Sequence, residues 1–156
     1  MKKALDILSN VLITISGIIF LFIFIIMVAG IICRTFLGFS LLWEDDLCNL
    51  SVAWMLAFGM AVAFHKKAHL NIEFIREKMP KNVRKVLTIV LNLLMLAFLI
   101  SLIPTGWSTV LSKMGFNYTV LGVPTAYSFV ALPVFAFLSS IFMINRIVNM
   151  LLSREE

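Results

Sequence analysis

Apolar positions in this chain come in long unbroken runs instead of alternating or recurring on one helical face. Residues 11–32, 47–64, 86–103 and 123–144 contain no Asp, Glu, Lys, Arg or His, and a helix that is apolar all round belongs in a core or a bilayer. A bilayer core of about 30 Å takes about 20 helical residues at about 1.5 Å each. Each of the four runs can therefore cross once, the second being the shortest. The pattern predicts an all-α membrane protein, a single domain over residues 1–156 with four transmembrane helices and short connections. The first run follows Lys2 and Lys3, as a signal peptide would. It exceeds the roughly 7–15 apolar residues of a signal peptide and lacks a small-x-small cleavage site, so it is expected to be a retained span.

Caps and breakers set the expected limits. Ser9 and Asn10 precede the first span, while Leu5, Ile7, Leu8 and Leu12 point to a helix that begins earlier, along the membrane surface. Glu44, Asp45 and Asp46 stand at the start of the second helix, where carboxylates complement the dipole and the free N–H groups. Pro80 suits an early position before the third span, Pro104 is expected to close it, and Pro124 to open the fourth. Pro133 falls inside the fourth and predicts a kink.

Composition narrows the class further. The chain is 62% hydrophobic and 13% charged, against ordinary values of about 45–50% and about 25%. With a mean hydropathy of +1.05 this excludes a disordered chain, a collagen-like fibre and a soluble enzyme domain. A net charge of +5 and a pI near 9.5 would point to nucleic acid in a soluble chain. Here the positions of the charges decide. Lys2, Lys3, Lys66, Lys67, Arg76, Lys78, Lys81, Arg84, Lys85, Arg146 and Arg154 fall on one side of the four spans, and only Arg34 and Lys113 on the other. The positive-inside rule then places both termini in the cytoplasm, and no nucleic-acid partner is needed to explain the basic balance.

The spans themselves limit the chemistry. A coupled carrier or pump keeps an ionisable group within the membrane, and these cores have none. Their amides are Asn49 and Asn92, and Asn92, with Thr88 one turn before it, fits an interhelical hydrogen bond better than a substrate contact. In the second helix Ala53, Ala57 and Ala61 recur every fourth residue, with Gly59 and Ala63 as a second small pair and Trp43, Leu47, Leu50, Trp54 and Phe58 as a bulky stripe beside them. Small residues let helices approach closely where lipid offers no hydrophobic drive. That face can serve packing within the chain or docking of another subunit. Arg34 and the acids Glu44, Asp45 and Asp46 flank one short outer loop, so an interfacial ion pair and simple capping with snorkelling are both open.

Weaker signals are assigned to ordinary roles. His65 and His69 stand one turn apart but lack the further ligands of a metal or haem site. Residues 66–85 mix Lys66, Lys67, Arg76, Lys78, Lys81, Arg84 and Lys85 with Leu70, Ile72, Phe74, Ile75 and Met79, and are expected to lie as an amphipathic basic segment on phospholipid. Cys33 and Cys48 flank the outer loop without a Cys-x-x-Cys pair, and read as inert thiols or a structural bridge. No phosphate loop, nucleophile elbow or triad pattern occurs, so neither an enzyme nor a bound cofactor is expected.

The ordered set Trp43-Glu44-Asp45, Trp54, Phe58-Gly59-x-Ala61-x-Ala63 and His69-Leu70-x-Ile72-Glu73 resembles the small membrane subunit (DctQ-like) of tripartite ATP-independent periplasmic (TRAP) transporters. The resemblance covers essentially the whole chain and is most specific over residues 34–80, Arg34 falling where the family often has an arginine. The chain departs from the family at His65, where Arg is common, and at Glu73, where Asp is frequent. The resemblance implies a subunit of the bacterial inner membrane that braces a large elevator-type membrane subunit. That large subunit takes up an organic acid, such as sialic acid or a C4-dicarboxylate, with sodium, after capture by a periplasmic substrate-binding protein. On this expectation Trp43, Glu44, Asp45, Ala53, Trp54, Ala57, Gly59, Ala61, His69 and Glu73 define the docking surface. A small self-assembling exporter, which would need a mid-membrane acid, and a membrane redox or haem anchor, which would absorb visible light, are the alternatives.

Overall fold

The computed structural model describes residues 2–65 and 81–152, with side chains described over 5–65 and 87–148. Helix α1 spans Lys2–Ile32 and runs on through a wider π-helical turn, Cys33–Leu37, to Gly38, whose φ of 69° ends it. Helix α2 spans Glu44–His65, α3 Lys81–Lys113, the one-turn α4 Ala126–Phe129 and α5 Ala131–Leu152. Among the described residues there is no strand, only one isolated bridge between Asn117 and Pro124. Among the described residues four helical stretches are long and apolar enough to cross a bilayer: Leu5–Leu37, Glu44–His65, Leu87–Lys113 and Ala126–Val148. The four-span, all-α fold expected from the charge-free runs is the fold observed.

Of the expected boundaries Pro104 is overturned, while the early start of the first helix and the break near Pro133 follow the expected pattern. The first helix starts at Lys2 and passes through Ser9 and Asn10 without a break; Ser9 faces inward, 1% exposed, and does not act as a cap. Pro104 does not close the third helix, which continues to Lys113. A proline within a helix removes one hydrogen bond and bends it, and a membrane helix tolerates the loss where hydroxyls supplement its backbone. Around Pro104, Ser101 Oγ donates to Phe98 O at 2.8 Å and Thr105 Oγ1 to Ser101 O at 2.9 Å. The fourth crossing is interrupted at Val130, between α4 and α5, one turn before Pro133. Pro133 has no N–H for the carbonyl of Phe129, four residues back and immediately before the break.

The helices pack in the order α1, α2, α5, α3, with the short α4 against α2 and α3. The core joins Leu12 of α1, Ala57, Ala61 and Val62 of α2, Leu99 of α3 and Ala131, Phe135, Phe142 and Met143 of α5. Phe64 and Phe135 meet with ring centroids 5.9 Å apart. Thr88, Asn92, Ser139 and Ser140 are buried with them, and Ser140 Oγ donates to Ala136 O at 2.7 Å. Close approach is bought by missing side chains at two places. A Cβ on Gly106 of α3 would lie 3.1 Å from Pro133 Cδ of α5. One on Gly30 of α1 would overlap the Glu44 carboxylate of α2. Side-chain contacts between distant residues put the start of α1, the end of α2 and the later half of α5 at one end of the bundle. The starts of α2 and α4 lie at the other, here called the far end.

Candidate functional site

The far end of α2 gathers most of the predicted residues that the structure describes. Trp43, which precedes the helix, is 40% exposed, and the turn is closed by Glu44 N–H donating to Leu41 O and Leu47 N–H to Trp43 O, both at 3.1 Å. The three acids that follow have three different surroundings. Glu44 is buried, 8% exposed, in the space Gly30 leaves. Asp45 points to the surface. Asp46 accepts from the backbone N–H groups of Val120 at 2.9 Å and Leu121 at 3.3 Å. These lie in a tight loop held by Tyr118 N–H to Val123 O at 2.9 Å and Thr125 N–H to Phe116 O at 2.8 Å. A carboxylate accepting two backbone N–H groups makes the stronger, charge-assisted kind of bond. The first turn of α2 thus fastens the α3–α4 loop as well as complementing its own dipole.

The expected ion pair between Arg34 and Glu44, Asp45 or Asp46 is not formed among the described residues. Arg34 lies exposed on the π-helical turn, while Glu44 turns to α1 and Asp46 to the loop. Cys33 and Cys48 are free thiols, so no bridge spans this loop.

Farther along α2, the small residues are used within the chain. Ala57 and Ala61, 3% and 0% exposed, belong to the core, and Ala53 packs against it. Gly59 lies beside Ser16 of α1, whose Oγ donates to Met55 O at 3.0 Å. Trp54 and Phe58 form a tilted pair with centroids 5.5 Å apart. Trp54, Leu50, Phe22 and Tyr127 help line an apolar groove of about 480 Å³ between α1, α2 and α4. His69, Glu73, Lys66, Lys67, Arg76 and Lys78 lie outside the described residues, and Lys81, Arg84 and Lys85 stand on the first turns of α3 with side chains outside them. His65 is engaged by Asp6 at 2.8 Å. Among the described residues no three His, Cys, Asp or Glu side chains assemble as metal ligands would.

Sequence pattern missed Gly30, Ser16, Asp6 and the loop at Val120 and Leu121. A single glycine near the end of an apolar helix carries a weak signal of close approach. Nothing local marks Asp46 as the partner of a loop 74 residues away.

A protein-family model described as the DctQ component of tripartite ATP-independent periplasmic transporters matches residues 23–153. The chain belongs to this family. It is 31% identical over 124 residues to the sialic acid TRAP transporter permease protein SiaT of Haemophilus influenzae, a match covering 79% of this chain and 20% of that protein. It is 28% identical over 105 residues to the sialic acid TRAP transporter small permease protein SiaQ of Vibrio cholerae, covering 67% of this chain and 58% of that one. The chain thus spans about a fifth and rather over half of the lengths of these two curated relatives. Within a DctQ component, the far end of α2 is a packed corner: one helix start lies against α1 through Glu44 and holds the α3–α4 loop through Asp46.

Proposed function

We propose that this DctQ-family chain is a static brace for a large elevator-type membrane subunit that takes up an organic acid with sodium, after a periplasmic binding protein delivers it. The observation that carries this reading is the absence of any Asp, Glu, Lys, Arg or His from residues 7–33, 47–64, 86–112 and 114–145. A chain that moved an acid or coupled it to an ion on its own would need such a group in the membrane. A brace needs only rigid helices and a docking surface.

Two further points support the reading. The match to SiaT occupies 124 residues and 20% of that protein, which makes it about 620 residues long. A segment like this chain is there continuous with a far larger permease. The names of both relatives point to sialic acid as the first substrate class to try, with C4-dicarboxylates next. The chain lies in the bacterial inner membrane with both termini in the cytoplasm, as its Lys and Arg placement favours. The periplasmic binding protein docks on the assembled complex from the far end, and basic residues 66–85 rest on phospholipid.

Because Ala57 and Ala61 are consumed internally, the docking surface is carried by the rim they leave: exposed Trp43 and Asp45, half-buried Ala53, Trp54 and Gly59, and the His69–Glu73 stretch. Photo-crosslinkers placed at Trp43 and Asp45 in a co-expressed complex test this. Adducts to a large membrane protein are expected from both positions. Adducts only to lipid, in a complex that still co-purifies, would move the interface elsewhere; failure to co-purify would remove the brace.

A further inference from the structure

Helices α1 and α2 run antiparallel with a register fixed by three contacts. Gly30 lies against Glu44, Ser16 Oγ donates to Met55 O, and Asp6 meets His65. α2 has 22 residues, about 33 Å at about 1.5 Å each, which matches a hydrocarbon core of about 30 Å. Its first turn carries the exposed Asp45, and an exposed carboxylate does not sit in hydrocarbon. The edge of that core at the far end therefore lies near Glu44 and Gly30. α1 does not stop there. It runs on to Leu37, about 10 Å beyond Gly30 at the same rise, before Gly38 turns the chain back. The headgroup regions add about 10–15 Å to the core, shared between the two leaflets. Arg34, about 6 Å beyond Gly30, is thus at headgroup level.

The overhang has the wrong surface for water. Phe36 is 82% exposed, and Leu37, Phe39 and Leu42 are exposed with it. They continue the outward side of α1, where Ile31 and Ile32 are exposed. Between residues 30 and 43 Arg34 is the single charged residue. The other cation at this end, Lys113, lies over the rings of Phe116 and Phe129, 5.1 and 5.8 Å from their centroids. Arg34 has no hydrogen bond, ion pair or ring contact among the described residues. Glu44 is turned to Gly30 and Asp46 to the α3–α4 loop.

A phospholipid answers both features at once. A guanidinium matches a phosphate with two parallel N–H bonds, and apolar side chains at an interface bury about 5–10 Å into the boundary between headgroups and acyl chains. We propose that the turn over residues 34–42 is a phospholipid anchor in the leaflet at the far end. Arg34 holds a headgroup phosphate, and Phe36, Leu37, Phe39 and Leu42 enter the acyl boundary beside it. Continuity with the apolar outward side of α1 and a lone cation at phosphate depth favour lipid over a protein, which would have to bring an acid of its own. The inference is independent of the solute and of the bracing role.

Solid-state NMR of the full chain tests it, with isotope-labelled arginine in bilayers of phosphatidylethanolamine and phosphatidylglycerol and a phosphate-free buffer. The guanidinium signal that disappears in Arg34→Gln is expected to be dephased by phosphorus, both in the chain alone and in the complex co-purified with the large membrane subunit. A spin label at Phe39→Cys, with Cys33→Ser and Cys48→Ser, should collide with oxygen in preference to a water-soluble nickel chelate. An Arg34 signal without dephasing, or a label reached preferentially by the chelate, would overturn the anchor. Dephasing that is present in the chain alone and lost in the complex would give the turn to a protein partner and overturn it as well.

Discussion

Helices α1 and α5 are both apolar enough to cross a bilayer, yet they meet opposite surroundings. In α5, 44% of the most apolar stretch is buried within the chain; in α1, the most apolar of the four spans, only 17% is. The packed side of α5 is made of Ala131, Ala136, Ser139 and Ser140 among larger residues, and it touches both α2 and α3. α1 turns Ile18, Phe20, Leu21, Phe24 and Ile25 outward and packs mainly along α2. In a soluble protein the more apolar helix would be the more buried. Here lipid is as apolar as leucine, so bulk and apolarity mark contact with the bilayer or another subunit, and small size marks contact within the chain.

Substitutions that add bulk should therefore separate the two helices most sharply. Ala136→Leu, at a position with 0% exposure, should cost about 1–3 kcal/mol by overpacking, read as a lowered melting temperature in detergent. Gly30→Ala should cost a similar amount, about 1–3 kcal/mol, although it lies on the exposed helix. Glu44→Ala in the same chain should recover much of it, because the clash is with that one side chain. If Gly30→Ala is silent, the Glu44 contact is not tight. Asp46→Ala should cost about 1.5 kcal/mol, the lower end for bonds to a charged group. It should also speed amide exchange at Val120 and Leu121 specifically. Phe20→Leu on the outward side of α1 should change the melting temperature of the isolated chain least, below about 0.5 kcal/mol. A larger loss there would mean that α1 packs against more of this chain than α2.

The division between what sequence conveys and what it hides follows the same physics. Charge-free runs revealed four spans because a bilayer excludes Asp, Glu, Lys and Arg from whole segments, an effect summed over about 20 residues. Pro104 misled because it is a single-residue signal, and Ser101 and Thr105 reinforce the turn around it. Ala57 and Ala61 were recognisable as a close-packing face, but only the fold shows that α1 and α5 occupy it. The acids at 44–46 look alike in sequence and meet three different surroundings. Which one buries, which one reaches the loop and which one stays exposed is set by helix rotation and by the absence of a Cβ at Gly30.

The far end and the termini end also differ in kind. Asp46 holds two backbone amides of a loop, whereas His65 meets the side chain of Asp6 alone on α1 and the ring of Phe142 on α5.

The bracing role itself is tested most directly by sodium-driven uptake of a labelled organic acid into proteoliposomes that contain the large membrane subunit and its binding protein, with and without this chain. Uptake that requires this chain, together with no uptake when it is reconstituted alone, is the predicted result. Equal uptake in its absence, or transport by this chain alone, would contradict the account.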